Sequence, residues 1–306
     1  MEMAGTVVPE TAADIVDTHV HIVSPDTARY PLTGGTRDGN DYWSDGSCSV
    51  AEVLRVQAVS GVHRTVLVQG VGAYGYDCRY LLDAVAEHPE RTAAVVAVDM
   101  AAPAAAARAL RDLAREPGVT GVRLFAVSGG PDATGPRWLT DPASEAVWDV
   151  SAEVGLTVVL TAFAHQLPLL RPSIRSRPSL RVALDHCGFP DARARTAGRA
   201  PVRELADLPG VHVKVTTHLL ASAQAAGEDP ADVIDDLASA FGDERLTWGS
   251  DFPQTREPTY PGMLSLAGHA IRRRTQAQRD SILAGTAHRL WFAETASDSS
   301  RVVHRP

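Results

Sequence analysis

Two histidines separated by one residue, His19 and His21, lie in the run IVDTHVHI near the start of the chain. Side chains alternate along a strand, so residues two apart share a face. If the run is a strand, Asp17 shares the face of both imidazoles, and Val16 and Val20 lie on the other face, towards a layer of helices. Two imidazoles at one strand end can hold one metal ion or polarise one substrate oxygen. The pair therefore predicts a metal site or a polarising site.

A carboxylate and a third imidazole follow other apolar runs. Asp251 lies in WGSDFP, where it is a candidate general base or metal ligand, or alternatively an N-cap for the next segment. His186 lies in VALDHCGFP, and we assign it with Asp251 to catalysis, the alternative being a satisfied core histidine. Its neighbour Asp185 is expected to orient the loop backbone or a nearby imidazole.

Polar side chains at other strand ends are candidates for binding substrate. Arg123 in GVRLF could hold a substrate carboxylate with two hydrogen bonds, and a structural salt bridge is the alternative. The other candidates lie at the end of strand two, in the turn after it, and beyond strand seven: Gln69, Tyr74, Tyr76 and His218.

The 29 basic residues comprise 28 arginines and one lysine, Lys214. Codon usage rich in G and C explains the bulk of this bias, but it limits the chemistry, because no other lysine can form a Schiff base or carry a carbamate. Lys214 lies well down the seventh strand, where we expect a buried polar contact.

Short β-branched runs alternate with amphipathic segments along the whole chain. The predicted strands are Asp14–Val20, Arg64–Gln69, Thr92–Asp99, Val119–Phe125, Leu156–Ala162, Leu180–His186, Val211–Thr217 and Arg245–Asp251. The predicted helices are Val50–Val59, Tyr80–Glu87, Ala102–Arg115, Pro142–Glu153, Leu167–Ser176, Val202–Leu208, Pro230–Phe241 and Thr275–Leu283. Eight such units predict an α/β fold, a single-domain (β/α)8 TIM barrel. The alternative, a doubly wound open sheet, typically has a Gly-rich dinucleotide-binding turn after its first strand. This chain has His19 and His21 at that position, which favours the barrel.

The barrel is expected to span residues 14–293, with an N-terminal extension over 1–13 and a flexible tail over 294–306. The pocket walls are expected in the loops 24–49, 70–77 and 125–141. In a barrel of this type the chemistry lies at the carboxyl ends of the strands, where the candidate residues fall.

Composition narrows the functional classes. The net charge of −8 argues against nucleic-acid binding, and the apolar stretches are too short to span a bilayer. The start of the chain lacks the pattern of a secretory signal, and three unevenly spaced cysteines make no disulfide scaffold. We therefore expect a cytoplasmic protein in a reduced compartment.

The motifs together resemble those of the amidohydrolase superfamily, in its amidohydrolase-2 branch. The resemblance runs from Ile15 to about Phe292 and rests on IVDTHVHI, TVLVQGVGAYG, GVRLF, VALDHCGFP, VHVKVTT, WGSDFP and GTAHRLW. Within the branch the chain is similar to lactonases of pyrone dicarboxylates and of sugars. Decarboxylases of aromatic and muconate-type acids share the same motifs.

The resemblance implies an active site built from His19, His21, His186 and Asp251. The implied metal ligands are His19, His21 and Asp251. Related enzymes with one metal also have a histidine ligand at the end of strand five; the candidate here is His165, which lies four residues beyond Thr161 and alternatively opens the next helix. Arg123 would bind a substrate carboxylate. Two cofactor states stay open: one divalent metal such as Zn²⁺, or catalysis without metal.

The favoured function is hydrolysis of a lactone or related cyclic ester, in which Asp251 assists water attack on a polarised carbonyl. The first alternative is a metal-dependent decarboxylase of an aromatic or unsaturated carboxylic acid, and the second is a barrel that only binds. The expected partner is a small molecule that carries a carboxylate, with no nucleic acid and no membrane, and a homodimer is compatible with the fold.

Overall fold

Eight parallel strands form one sheet whose order follows the chain from β1 to β8. The computed structural model describes residues 14–33, 43, 46–127 and 134–292. The strands are β1 Ile15–Val20, β2 Val62–Val68, β3 Thr92–Ala97, β4 Val119–Phe125, β5 Thr157–Thr161, β6 Val182–Leu184, β7 Val211–Thr216 and β8 Leu246–Gly249. Each overlaps a predicted run, because β-branched residues fit a strand that is buried on both faces.

The sheet closes where β1 meets the residues after β8. The Asp251 amide donates to the carbonyl of His19 at 2.9 Å, and the His21 amide donates to the carbonyl of Phe252 at 2.8 Å. Val20 and Phe252 form a parallel bridge between these two hydrogen bonds. The predicted TIM barrel is confirmed.

Helices surround the barrel. They are α1 Val50–Ala58, α2 Val71–Tyr74, α3 Arg79–Glu87, α4 Pro103–Leu113, α5 Glu145–Glu153, α6 Leu167–Arg175, α7 Ala200–Arg203, α8 Thr217–Ala225, α9 Pro230–Phe241, α10 Tyr260–Ala270 and α11 Gln276–Asp280. Each of the eight predicted helices overlaps one of them, but α2, α8 and α10 were not predicted. The helix that follows β8 is α10, and the predicted Thr275–Leu283 is instead α11 continued by π-helical turns.

The barrel interior is filled from below by the last described residues. Buried side chains from β1, β2, β3, β5 and β6 pack against Ala284, Ala287, Leu290 and Trp291. The Thr157 hydroxyl donates to the carbonyl of Leu290 at 2.8 Å. This floor separates the polar mouth of the barrel from its lower end.

The predicted alternation along β1 is wrong at Val16 and Asp17. Pairing with β2 shifts by one residue between Asp17 and Val20, which marks a bulge. Val16 packs inside the barrel, whereas Asp17 accepts hydrogen bonds from the Tyr260 hydroxyl of α10 at 2.7 Å and from the Ser250 amide at 2.8 Å. The bulge therefore separates Asp17 from the two histidines, and Asp17 joins β1 to α10.

Several sequence-based expectations fall on chain outside the described residues. These are the extension 1–13, the tail 294–306 and parts of the loops 24–49 and 125–141. Among the described residues, every helix is too short or too polar to cross a membrane.

Gly249 permits the close approach of β8 and β1. A Cβ atom at this position would lie 2.8 Å from Cβ and 3.0 Å from the amide nitrogen of His19. We expect Gly249→Ala to lower the free energy of unfolding by about 1–3 kcal/mol, because an added methyl group overpacks the contact. Urea denaturation measures this change.

Gly268 is the matched control. It lies inside α10, and a Cβ atom there would meet nothing within 4 Å. Gly268→Ala should raise stability by about 0.5–1 kcal/mol, since glycine is costly within a helix. Equal effects of the two substitutions would contradict the assigned role of Gly249.

Candidate active site

His19, at the end of β1, is fully buried and held from one side. Its Nδ1 lies 3.0 Å from Oδ1 of Asp185. Because an ionised carboxylate can only accept, Nδ1 carries the proton and Nε2 has the lone pair. Within the described chain, Nε2 has no hydrogen-bond partner. A buried nitrogen of this kind is a ready ligand atom.

The other two imidazoles are also oriented through Nδ1. His21 Nδ1 lies 2.8 Å from the carbonyl of Val68, and His186 Nδ1 lies 3.0 Å from the hydroxyl of Thr216. Burial lowers the pKa of His19 to about 4 and holds those of His21 and His186 well below the ordinary value. All three rings are therefore neutral at pH 7, the form that binds metals.

Asp251 faces these imidazoles from the loop after β8. Its Oδ1 lies 3.6 Å from Nε2 of His19 and 3.9 Å from Nε2 of His21. Its Oδ2 accepts a hydrogen bond from the Thr255 hydroxyl at 3.0 Å. Burial raises the pKa of Asp251 to about 8, and a cation beside it would favour the ionised form.

The described residues include one group that could hold a metal ion. Ligand atoms of His19, His186 and Asp251 all lie within 4.8 Å of one another. Two imidazoles and a carboxylate are a donor set typical of Zn²⁺, and the orphaned Nε2 of His19 fits that use. His21 lies beside the group through its 3.9 Å contact with Asp251. His165 is not a member of this group; it is exposed in the turn after β5 and stacked on Phe163.

Asp185 is the centre of a polar cluster beneath the imidazoles. Besides His19, its carboxylate accepts from the Thr161 hydroxyl at 2.7 Å and lies 3.1 Å from Nζ of Lys214 and 3.4 Å from Nε of Arg123. Burial alone would raise the pKa of Asp185, but the two cations and the hydrogen bond from His19 hold it well below the ordinary value. The sequence indicated an orienting role for Asp185 and a buried contact for Lys214, and it missed Thr161 and Thr216.

Arg123 makes the structural salt bridge that the sequence left open. Its Nε donates to the Thr161 hydroxyl at 2.8 Å, and its Nη1 donates to the carbonyl of Gln69 at 3.2 Å. These bonds fix the guanidinium at the carboxyl end of β4. Its binding of a substrate carboxylate stays a prediction.

The remaining candidates lie around the mouth, and their substrate contacts stay predictions. The Gln69 side chain donates to the carbonyls of Gly75 and Asp77, both at 3.0 Å, and so holds the loop after β2. Tyr74 is buried and accepts from the Ser24 amide at 2.7 Å. Tyr76 is exposed. The ring of His218 lies 6.0 Å from that of His186.

The imidazoles and the carboxylate lie at the carboxyl ends of the barrel strands, where TIM-barrel enzymes have their active sites. This arrangement is that of a TIM-barrel enzyme that uses such a cluster for catalysis. A sequence model of the amidohydrolase family matches residues 16–293. The chain therefore belongs to the amidohydrolase family, as its motifs predicted.

Two relatives carry the name L-fucono-1,5-lactonase. The protein from Burkholderia ambifaria is 34% identical over 220 residues, which cover 69% of each chain. That from Burkholderia multivorans is 26% identical and covers 93% of this chain and 98% of its own. The crystal structure of an amidohydrolase from Burkholderia multivorans with bound zinc has a TM-score of 0.75 at 23% identity, and the match covers 92% of this chain and 99% of that one. This last similarity shows the shared fold.

The hydroxyl of Thr216 orients His186, whereas its neighbour Thr217 has a buried hydroxyl with no hydrogen-bond partner within the described chain. We expect Thr216→Val to weaken Zn²⁺ binding about 10–100-fold, because partners that orient a ligand have effects of this size. Competition with a chromogenic chelator measures the Kd. Thr217→Val is the isosteric control and should leave the Kd unchanged; equal effects at both positions would refute the orienting role.

Proposed function

We propose that this amidohydrolase opens a lactone ring by hydrolysis and that Asp251 is its acid-base group. The observation that carries the proposal is the position of Asp251: a buried carboxylate whose Oδ1 lies within 4 Å of two oriented imidazoles. The names of the two relatives support the choice of a lactone. A sugar 1,5-lactone is therefore the first substrate class to test.

Asp251 is proposed to take the proton of the attacking water and to return it to the ring oxygen as the ester bond breaks. Asp251 must be ionised to take the proton of water; burial raises its pKa, and a bound cation would favour the ionised form. Hydrolysis of an ester needs both transfers, because water loses a proton and the departing alkoxide gains one. A single carboxylate can make the two transfers in turn.

The imidazoles are proposed to face the carbonyl oxygen. His19, His186 and Asp251 would hold a divalent metal, with His21 beside them. When bound, such an ion polarises the carbonyl as a Lewis acid. The chain itself keeps His19 and His186 in fixed orientations through Asp185 and Thr216, and stabilisation of a developing oxyanion depends on such preorganisation.

Arg123 is proposed to anchor the carboxylate or another electronegative group of the substrate. Its position at the end of β4 places it beside Asp185 at the base of the barrel mouth. A homodimer and a cytoplasmic location stay predictions. The three cysteines are buried and free, which supports a reduced compartment.

We expect Asp251→Asn to reduce kcat for a sugar lactone by about 10²–10⁴-fold, since the amide cannot exchange the proton. A pH-indicator assay of acid release measures the rate. Asp112→Asn is the control, because Asp112 is exposed on α4 and pairs with Arg115 just beyond the helix; it should keep full activity.

Product analysis separates hydrolysis from the decarboxylase alternative. Lactone hydrolysis releases one acid equivalent and no gas, whereas a decarboxylase releases CO₂ from an aromatic or unsaturated acid. Full lactonase activity in Asp251→Asn would overturn the role of this residue. CO₂ release without lactone opening would overturn the proposed function.

A further inference from the structure

Lys214 is the one lysine in a chain that otherwise uses arginine 28 times. The same bias in base composition acts on every codon, so the exception indicates a position where arginine does not serve. Lys214 is fully buried in β7. A lysine ammonium is a compact point charge, whereas a guanidinium is a wide planar fork. The position therefore requires a small buried cation.

The ammonium of Lys214 contacts the support of the imidazoles. Nζ lies 3.1 Å from Oδ1 of Asp185 and 3.5 Å from Nδ1 of His19. From below, it lies 5.0 Å from the ring centroid of Trp291, a floor residue. Trp291 is also buried, so the ammonium is enclosed between the floor and the carboxylate.

The two oxygens of Asp185 have separate partners. Oδ1 faces Lys214 and His19, while Oδ2 accepts from Thr161 and lies near Arg123. Lys214 Nζ and the protonated Nδ1 of His19 are both donors, and the single oxygen Oδ1 accepts from both. Without Lys214, Oδ1 would keep His19 alone, and a buried carboxylate would lose its nearest cation, which is costly.

We propose that Lys214 is a positioning residue: it fixes Asp185 so that His19 keeps its proton on Nδ1 and presents Nε2 towards Asp251. The catalytic consequence rests on the function proposed above, but the effect on His19 does not. Lys214 lies below Asp185 and acts on the site through that carboxylate.

The test compares Lys214→Met with the wild-type protein by two readouts. Histidine side-chain ¹⁵N NMR reports the tautomer of His19, and chelator competition reports the Kd for Zn²⁺. We expect Lys214→Met to change the His19 nitrogen signals and to weaken Zn²⁺ binding about 10–100-fold. Lys214→Gln keeps an N–H donor on a side chain one bond shorter and removes the charge; it is the second variant if Lys214→Met does not fold, and it should change the same two readouts in the same direction.

A double-mutant cycle tests the path through Asp185. If Lys214 acts through that carboxylate, Lys214→Met should add little to the effect of Asp185→Asn on either readout. Additive losses would overturn the proposal. Thr157→Val is the control for general destabilisation, because it removes a buried hydrogen bond to Leu290 in the same floor.

Thr157→Val should lower the melting temperature but leave the His19 signals and the Kd unchanged. If Lys214→Met behaves like Thr157→Val, Lys214 is structural only and the inference fails, whatever the enzyme hydrolyses. If the wild-type protein opens no lactone but Lys214→Met changes the His19 signals, the proposed function fails and the positioning role stands.

Discussion

The closure of the ring between its first and last strands is the constraint on which the site depends. His19 and Asp251 are separated by most of the chain, and they meet because the Asp251 amide bonds to the carbonyl of His19 itself. The adjacent bond from His21 to Phe252 continues the same seam. The backbone that closes the barrel is thus the backbone that carries the reactive side chains, so fold stability and site geometry are coupled through the same atoms.

Closure also buries these polar groups, and burial imposes a second requirement. A charge taken out of water is costly unless it is paired and hydrogen-bonded. Asp185 meets this requirement with a hydroxyl, an imidazole and two cations drawn from β1, β4, β5 and β7. Its ionised carboxylate accepts the Nδ1–H of His19, while the Val68 carbonyl and the Thr216 hydroxyl engage Nδ1 of His21 and His186. The hydrogen bond from His19 to Asp185 therefore determines which nitrogen of His19 faces Asp251.

The sequence predicted the barrel and the main cluster because both depend on local signals. Most strands are short runs rich in β-branched residues, and His19, His186 and Asp251 lie within two residues of the ends of such runs. Helices α8 and α10 were missed since THLLASAQA and YPGMLSLAGHA carry few charged residues and show little amphipathic pattern. Asp17 was misplaced because a bulge is a property of pairing between two strands. Likewise, the partners of Asp185 come from four strands, and no local pattern connects them.

The alternation argument also stops earlier than the sequence suggests. β6 ends at Leu184, and His186 and Cys187 adopt left-handed backbone angles, with φ of 51° and 52°. Asp251, just beyond β8, has φ of 63°. Such conformations cost about 1–3 kcal/mol for residues other than glycine and persist only where the surroundings enforce them.

At both strand ends, hydrogen bonds supply part of these surroundings. The Thr216 hydroxyl holds the His186 ring, the Asp251 amide donates to the His19 carbonyl, and the Asp251 carbonyl accepts from the Thr255 amide at 2.7 Å. The direction of these two side chains is therefore set by a turn that tertiary contacts enforce, and not by continuation of the strand. The sequence predicted a strand as far as His186, but β6 ends at Leu184 and the left-handed turn after it directs the His186 side chain. The residues nearest the chemistry are therefore the ones whose geometry the strand pattern describes least.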